Sequence, residues 1–395
     1  MSMPPVVLRA LSLLTRRVPD RALVALLPGR FRFDVAAVPV PTVAPETPIR
    51  LYVAPVNWAG QGWQWARAAE RFIPGVGAVS MAYRLDSDFG FPVDVSVPVG
   101  AFVLSGRWQR EQRRVVLSSF THVLLEAERH VFGRVYDQSV VDQARDITSS
   151  GVSLAMLCHG SDIRLPSRHA ARHEWSPFAD AADAGTAVLE KQASANRRIL
   201  DEVGAPVFVS TPDLILDVPE ATWLPVVVDA ARWSNSEDIL ATTRPRVVHA
   251  PSKGSLKGSD LIDPVLAGLA EEGLIDYRRV EGVPAAQMPD VYHSADIVLD
   301  QFRIGSFGVA ACEAMAAGRI VVGHVTAQAR EYVEAQTGLE LPIVEATPDS
   351  IEAVIRDICA RPDHFRPNGA RGRAYVESVH DGRFAADVLR GFLTT

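Results

Sequence analysis

The sequence predicts an α/β protein made of two Rossmann-like domains, each with a doubly wound parallel sheet. Short apolar runs alternate with helical patterns along most of the chain, and this alternation indicates parallel βαβ units with both sheet faces covered. The alternation occurs in two series, with a polar candidate linker at Leu224–Asp238 between them. A chain of 395 residues is also longer than one hydrophobic core usually supports.

The first series follows an N-terminal extension. Residues 1–45 have the pattern of short basic amphipathic helices and a connector rich in Pro and Val. After it, the apolar runs predict strands at Ile49–Val56, Ala78–Tyr83, Thr121–Leu125, Ser153–Cys158 and Pro206–Ser210, and the helical periodicity predicts helices at Gly60–Phe72 and Ala182–Val203.

The second series predicts strands at Arg246–Ala250, Ile275–Val280, Asp296–Leu299 and Arg319–Val325, and helices at Leu261–Glu272, Ala286–His293 and Gly308–Ala317. From Asp349 onward the pattern is helical and is interrupted by Pro362 and Pro367. The predicted regions are therefore 1–228, 229–376 and a C-terminal helical segment, 377–395. Two such domains joined by one linker are expected to leave a cleft between them. We expect the carboxyl ends of both sheets to face this cleft, because open α/β sheets bind ligands at those ends.

The composition excludes several classes of function. The 47 acidic and 40 basic side chains give a net charge of −7 without a basic block, which argues against nucleic-acid binding over a broad surface. The three cysteines are far apart in sequence, so they form no C-x-x-C metal pair and favour a reducing compartment. No run of about 18 apolar residues lacks a charge, and we expect a cytoplasmic protein without a membrane span.

Residues 6–32 combine apolar Leu and Val positions with six arginines. This pattern allows two interpretations. The segment either lies peripherally on an anionic inner membrane face, or it is a solvated face packed on the C-terminal helix.

The strongest functional pattern runs from Ser294 to Gly318. A predicted strand ends at Asp300, and a loop containing Gly305 leads through Ser306, Phe307 and Gly308 into a small-residue helix. Glycines before a helix allow backbone N–H groups to approach an anion, and the helix dipole adds to the attraction. The pattern predicts a diphosphate site.

Glu313 lies in the middle of that helix, five residues after Gly308. A carboxylate on a helix of mostly small residues is able to accept hydrogen bonds from two ribose hydroxyls. On spacing alone, an exposed glutamate on a surface helix explains the residue equally well.

The second pattern is HAPSKGSLKG, which follows the predicted strand at Arg246. Two of the three lysines of the chain, Lys253 and Lys257, flank its Gly-containing loop. A lysine is a mobile point charge that suits a diphosphate. The alternative is a solvated loop between a strand and a helix.

The third pattern, His159, Asp162 and Arg164, follows the predicted strand Ser153–Cys158 across a glycine turn. Polar side chains at the carboxyl end of a buried strand suit the floor of a polar pocket. A lone histidine in such a place also serves a purely structural role, and both interpretations keep it partly buried.

The fourth pattern is Asn57, Gly60 and Gly62 after the first strand. These glycines permit a tight passage from strand to helix and the close approach of a ligand. The dinucleotide-binding fingerprint requires three spaced glycines, and the segment does not fit it.

With these four patterns, the chain resembles the retaining glycosyltransferases of the GT-B type, in the large family-4-like group. The residues that carry the resemblance are HAPSKGSLKG, SADIVLDQ, GSFGVAACEAMAAG, HGSDIR and VFVSTPDLILDVPEATWLPVVVD. It is clearest over about residues 225–325 and weak before about residue 50, and it depends on the order and spacing of the motifs together.

The resemblance implies a nucleoside-diphosphate-sugar donor. Lys257 matches the lysine that contacts the donor phosphates and helps the leaving group depart, and Lys253 lies beside the position of the family's phosphate-binding arginine. We expect the backbone amides of Ser306, Phe307 and Gly308, at the start of the small-residue helix, to bind the same phosphates. Glu313 matches the second glutamate of a conserved pair, which binds the ribose.

The resemblance also assigns roles in the first domain. His159 resembles the histidine beside the donor sugar, with Asp162 and Arg164 on the acceptor side. Asn57, Gly60 and Gly62 resemble the glycine loop near the phosphate and the acceptor. The C-terminal helix of the family crosses back onto the first domain, which residues 377–395 are expected to do here.

One position departs from the family. The first glutamate of the pair, which contacts the donor sugar, is replaced by Gly305. Either Asp300 supplies the missing carboxylate, or the backbone amides of Ser306–Gly308 suffice.

The sequence therefore predicts transfer of a sugar to an acceptor hydroxyl on a glycan, a lipid-linked molecule or a small molecule. We expect a retaining reaction that needs no metal or other cofactor, in cell-surface glycan or glycolipid synthesis. Two alternatives are a catalytically silent GT-B protein that binds nucleotide or a partner, which Gly305 motivates, and a GT-B nucleotide-sugar epimerase.

Overall fold

A computed structural model describes residues 18–26, 32–84, 89–135, 138–180, 182–251 and 254–394. Most of the basic segment 6–32, for which membrane contact is predicted, lies outside these residues, as does Lys253. No helix among the described residues is both long and apolar enough to cross a bilayer.

The first sheet has seven strands in the order β3-β2-β1-β4-β5-β6-β7. The strands are β1 (Ile49–Ala54), β2 (Val76–Arg84), β3 (Val95–Pro98), β4 (His122–Glu126), β5 (Ser153–Cys158), β6 (Val207–Val209) and β7 (Thr222–Trp223). All pairings among β1 to β5 are parallel. Strand order runs outward from β1 in both directions, so the direction of winding reverses between β1 and β4.

Helices connect these strands as a doubly wound sheet requires. They span Gln61–Phe72, Val99–Leu104, Gly106–Ser119, Val140–Ser149 and Ala184–Val203, with a short helix at Asp20–Leu26 before β1. Helix Gly106–Ser119 begins where the Ser105 hydroxyl accepts a hydrogen bond from the Trp108 amide, and Val140–Ser149 begins at a capping box formed by Ser139 and Asp142.

The second sheet has five strands, all paired in parallel, in the order β12-β11-β10-β8-β9. They are β8 (Arg246–His249), β9 (Asp276–Arg279), β10 (Ile297–Leu299), β11 (Ile320–Gly323) and β12 (Val344–Glu345). Here the winding reverses between β8 and β10. Two parallel-sheet α/β domains are thus confirmed.

The remaining helices are Pro166–Arg172, Ala230–Trp233, Gly254–Lys257, Ser259–Glu271, Met288–His293, Val309–Ala316, Ala327–Thr337, Ile351–Ala360, Pro362–Phe365, Pro367–Val379 and Arg383–Leu393. Pro362 and Pro367 each stand at the start of a helix, where a proline loses no hydrogen bond. The core of this part packs Ile262 and Leu266 with Ile355 and Ile358 and the sheet residues Ile297 and Ile320.

The chain divides into two compact units, and each contains one of the two points where the winding reverses. The first comprises the described residues up to Asp162, Ala195–Phe208 and the chain from Ala386 on, and the second comprises Ile163–Ser194 and Val209–Ala385. Within the first unit, Phe392 of the C-terminal helix lies 5.1 Å from the His122 ring.

Candidate functional site

In the first unit, the side chains of Glu126 and His159 and two backbone amides meet at the carboxyl ends of β1, β4 and β5. Glu126, the last residue of β4, is fully buried and accepts hydrogen bonds from the backbone amides of Val56 (3.2 Å) and Asn57 (3.1 Å) and from His159 Nε2 (3.2 Å). Since open α/β sheets bind ligands where the winding reverses, the position between β1 and β4 supports a site here. The sequence motifs had not included Glu126.

His159 is enclosed by two tryptophans. The ring centroids of Trp58 and Trp65 lie 5.1 and 5.7 Å from the imidazole. Because the Glu126 carboxylate only accepts hydrogen bonds, a neutral His159 carries its proton on Nε2. The orientation and tautomer of His159 are therefore both set by a buried carboxylate.

The backbone around this site is strained. The residues Asn57, Ala59, Ala127 and Glu128 all have φ between 49° and 58°, a conformation that costs a non-glycine residue about 1–2 kcal/mol. Such strain concentrates at functional sites. The Asn57 side chain holds the turn by accepting from the Trp63 amide at 2.9 Å and donating to the Pro92 carbonyl at 2.8 Å.

The two predicted glycines are required by close contacts. A Cβ on Gly62 would lie 3.0 Å from Glu126 Oε1, and one on Gly60 would lie 3.1 Å from the Phe91 ring. Gly60 also has a φ of 75°, which favours glycine. The glycine loop predicted from sequence therefore packs directly on the Glu126 carboxylate.

Asp162 and Arg164 already have partners within the chain. The buried Asp162 carboxylate accepts from the amides of His159 (2.8 Å) and Gly160, which closes the turn after β5. Arg164, in the second unit, donates from Nε to Asp213 Oδ2 at 3.1 Å. Burial alone would raise the pKa of Asp213, but the Arg164 guanidinium and the neighbouring Ser306 and Thr211 hydroxyls hold it below its usual value.

In the second unit, Lys257 and Asp300 form an ion pair beside the reversal point between β8 and β10. Lys257 Nζ lies 2.5 Å from Asp300 Oδ1. The Asp300 side chain is 3% exposed and that of Lys257 is 23% exposed, while Asp300 Oδ2 is buried without a hydrogen-bond partner among the described residues. The arrangement presents one ammonium group at the sheet edge where ligands bind.

The loop before helix Val309–Ala316 presents three backbone donors. The N–H groups of Ser306, Phe307 and Gly308 make no hydrogen bond to any other described residue, although Ser306 and Phe307 are buried. Buried N–H groups are nearly always paired, so this loop is suited to receive a polar ligand. The adjacent helix N-terminus makes an anion the favoured ligand.

Glu313 is half-buried in the same helix. Burial raises the pKa of Glu313 to about 8, and the charge of Arg232 acts in the opposite direction. A surface glutamate would not show such a shift. The residue is thus a partly enclosed carboxyl group whose protonation changes near neutral pH.

The loop conformation and close neighbours at position 305 require a glycine. Gly305 has a φ of 73°, and an added Cβ would lie 2.7 Å from Thr326 Cγ2 and 3.2 Å from His173 Nδ1. Its carbonyl accepts from the Thr326 amide at 3.0 Å. A glutamate does not fit here without rearrangement of the loop.

Gln301 is a further residue that the motifs did not single out. Its side chain accepts from the Ile304 amide at 2.9 Å and donates to the Ser306 carbonyl, so it shapes the turn that contains the Ser306–Gly308 amides. A glutamine directly after a strand carries no recognisable signal of such a role.

Several solved structures are similar to this chain. HepE from Anabaena, in complex with UDP and glucose, matches with a TM-score of 0.55 and 12% identity over 89% of this chain and 100% of that one. Sucrose-phosphate synthase from Thermosynechococcus elongatus matches with a TM-score of 0.54 and 11% identity over 86% and 97%. WaaG, a glycosyltransferase involved in lipopolysaccharide biosynthesis, matches with 0.52 and 13% over 86% and 99%.

No protein-family model and no curated protein matches the sequence. At 11–13% identity, the structural likeness shows the fold alone. The chain has the two-domain α/β fold of GT-B glycosyltransferases.

Proposed function

We propose that this protein is a glycosyltransferase that moves a sugar from a nucleoside-diphosphate sugar to an acceptor hydroxyl. The observation that carries the proposal is the set of unpaired amides at Ser306–Gly308 in the same unit as Lys257, which lies beside the reversal point of the second sheet. Both groups favour a diphosphate. The complex of the structurally similar HepE with UDP and UDP-glucose adds support and makes UDP the first nucleotide to test.

In this reaction, the bond between the anomeric carbon and the diphosphate oxygen breaks, and negative charge develops on the diphosphate. The Lys257 ammonium and the Ser306–Gly308 amides would stabilise that charge, which is usually the largest catalytic contribution. The acceptor oxygen forms the new bond to the anomeric carbon, and its proton leaves with the released nucleoside diphosphate. We propose retention of configuration, as in the family that the sequence resembles.

The other candidate residues take roles that follow from their surroundings. Ionised Glu313 would accept hydrogen bonds from the ribose hydroxyls. His159, oriented by Glu126, would contact the donor sugar, and the glycine loop at Asn57–Gly62 would adjoin the acceptor. Asp300 would hold Lys257 in place until the diphosphate binds.

We also propose that transfer needs no metal ion, because an ammonium group and peptide amides already supply positive charge at the diphosphate. Activity that survives a chelator would support this mechanism, and inactivation reversed by a divalent ion would overturn it. The acceptor we propose is a hydroxyl of a cell-surface glycan or glycolipid precursor, by analogy with WaaG, which is involved in lipopolysaccharide biosynthesis.

The test of the proposed function is a thermal-shift panel of UDP, GDP and ADP and their glucose conjugates, followed by donor hydrolysis with the best ligand. A bound nucleotide raises apparent stability by mass action. One nucleotide and its sugar conjugate are expected to stabilise the protein, with slow release of free sugar. Binding without turnover over an acceptor panel would favour a silent nucleotide-binding protein, and no binding would refute the proposal.

A further inference from the structure

A histidine occupies the space beside Gly305. His173 follows helix Pro166–Arg172 and stacks on His169, with ring centroids 4.1 Å apart and an interplanar angle of 28°. His169 is fixed in turn by Ser176 Oγ at 2.7 Å from Nδ1 and by the Ile304 carbonyl at 3.1 Å from Nε2. The His173 ring is therefore tied to the loop that precedes the Ser306–Gly308 amides.

The His173 side chain has no hydrogen-bond partner among the described residues, and it is half-buried. Burial lowers the pKa of His173, and the charges of His324, Arg164 and Arg172 act in the same direction, while Asp213 opposes them. At neutral pH the ring is thus an uncharged imidazole with one donor and one acceptor nitrogen. It is positioned by stacking, and its polar atoms are uncommitted.

We propose that His173 hydrogen-bonds the transferred sugar of the donor. This inference rests on the proposed function and names one further donor-contacting residue. Consecutive Cα atoms are about 3.8 Å apart, so a ring against Gly305 lies within reach of a group bonded to a phosphate at Ser306–Gly308. Glu313 lies on the helix that leads away from these amides and marks the nucleoside side, which leaves the Gly305 side for the sugar.

The position of His173 gives a second explanation, besides backbone geometry, for glycine at position 305. A side chain at position 305 would press against the His173 ring, whose Nδ1 would be 3.2 Å from the new Cβ. With glycine there, the imidazole takes the place that a side chain from the loop would fill. The group offered to the sugar is a neutral donor and acceptor rather than a carboxylate.

The test compares His173→Ala, His173→Gln and the control His364→Ala, an exposed histidine on the short helix Pro362–Phe365. Isothermal titration calorimetry measures the affinity of each for the nucleoside diphosphate and for the glucose conjugate that stabilise the wild type most. We expect His173→Ala to weaken binding of the sugar conjugate about 2- to 10-fold, the usual contribution of one hydrogen bond. Affinity for the nucleoside diphosphate should change less than twofold, and His173→Gln should recover part of the loss.

Melting temperatures of the three variants show whether the fold is intact. Equal losses for both ligands, or unchanged affinity for the sugar conjugate, would overturn the role of His173 while leaving the proposed function in place. If no nucleoside diphosphate binds the wild type, the proposed function fails and this inference fails with it.

Discussion

The replacement Lys257→Met removes the one charged side chain that we place on the donor diphosphate within the described residues. A hydrogen bond between charged groups contributes about 1.5–3 kcal/mol, so nucleoside diphosphate binding should weaken about 10- to 150-fold. Methionine keeps the length and apolar stem of lysine. The affinity loss therefore reports the ammonium group rather than a cavity.

The same replacement also affects stability, because it leaves a carboxylate alone in the interior. Asp300 is 3% exposed and pairs with Lys257 at 2.5 Å. Removing one partner of a buried pair costs about 3–5 kcal/mol. The lower end applies here, since Lys257 is 23% exposed and water partly screens the pair.

The double variant Lys257→Met/Asp300→Asn separates the two effects. It removes the isolated carboxylate, so urea denaturation should show most of the stability restored, while calorimetry should show nucleotide affinity still low. Lys191→Met, at an exposed position of helix Ala184–Val203, serves as the matched lysine control. Wild-type affinity in the double variant would refute the phosphate role of Lys257 and leave it a structural cation.

Three further replacements test the remaining parts of the site. Gly305→Ala should lower the free energy of unfolding by at least about 1–2 kcal/mol, because φ is 73° and the new Cβ meets Thr326. Gly308→Ala, with open space around its Cβ, should change the free energy of unfolding little in the same urea titration. Equal losses in the two variants would contradict the claim that position 305 requires glycine. Because burial raises the pKa of Glu313 from 4.5 to about 8, the folded state holds this proton more tightly than the unfolded state, and stability should fall as pH rises across that window, by at most about 5 kcal/mol. Glu313→Gln should remove this loss of stability between pH 5 and pH 9, and it should abolish the rise in nucleoside diphosphate affinity expected when Glu313 ionises. If stability falls with pH equally in the wild type and the variant, the raised pKa does not belong to Glu313. Glu126→Gln replaces one acceptor oxygen with an NH2 donor, which must face either the two backbone amides or the imidazole that Glu126 now accepts from. Donor hydrolysis should therefore slow and stability should drop by about 1–3 kcal/mol, whereas unchanged hydrolysis would show that the orientation of His159 is unimportant.

Much of the fold could be predicted because buried parallel strands have a clear pattern. Ser153–Cys158 was predicted with its observed bounds, and most other predicted strands differ by one or two residues at their ends. Strands β3 (Val95–Pro98), β7 (Thr222–Trp223) and β12 (Val344–Glu345) were missed, since two to four residues are too few to show a period. Helix Gly106–Ser119 was also missed, because its arginines and glutamines hide the apolar face.

Within the candidate site, the sequence predicted the turns that need an unusual backbone conformation or a close approach. The glycines at 60, 62, 305 and 308 predicted tight turns at strand ends, and in the structure the first three have close contacts or a positive φ. Glu126 and His173 were not predictable. Their places in the candidate site depend on contacts with residues far away in sequence, and a single buried glutamate or half-buried histidine has no local pattern that distinguishes it from a structural residue.

The most direct test is a crystal structure of the protein with the nucleoside diphosphate that stabilises it most. The account predicts that the phosphate oxygens lie within hydrogen-bond distance of the Ser306, Phe307 and Gly308 amides and of Lys257 Nζ, with the ribose hydroxyls on Glu313. A nucleotide bound elsewhere, or one whose phosphates leave these amides without a partner, would contradict it.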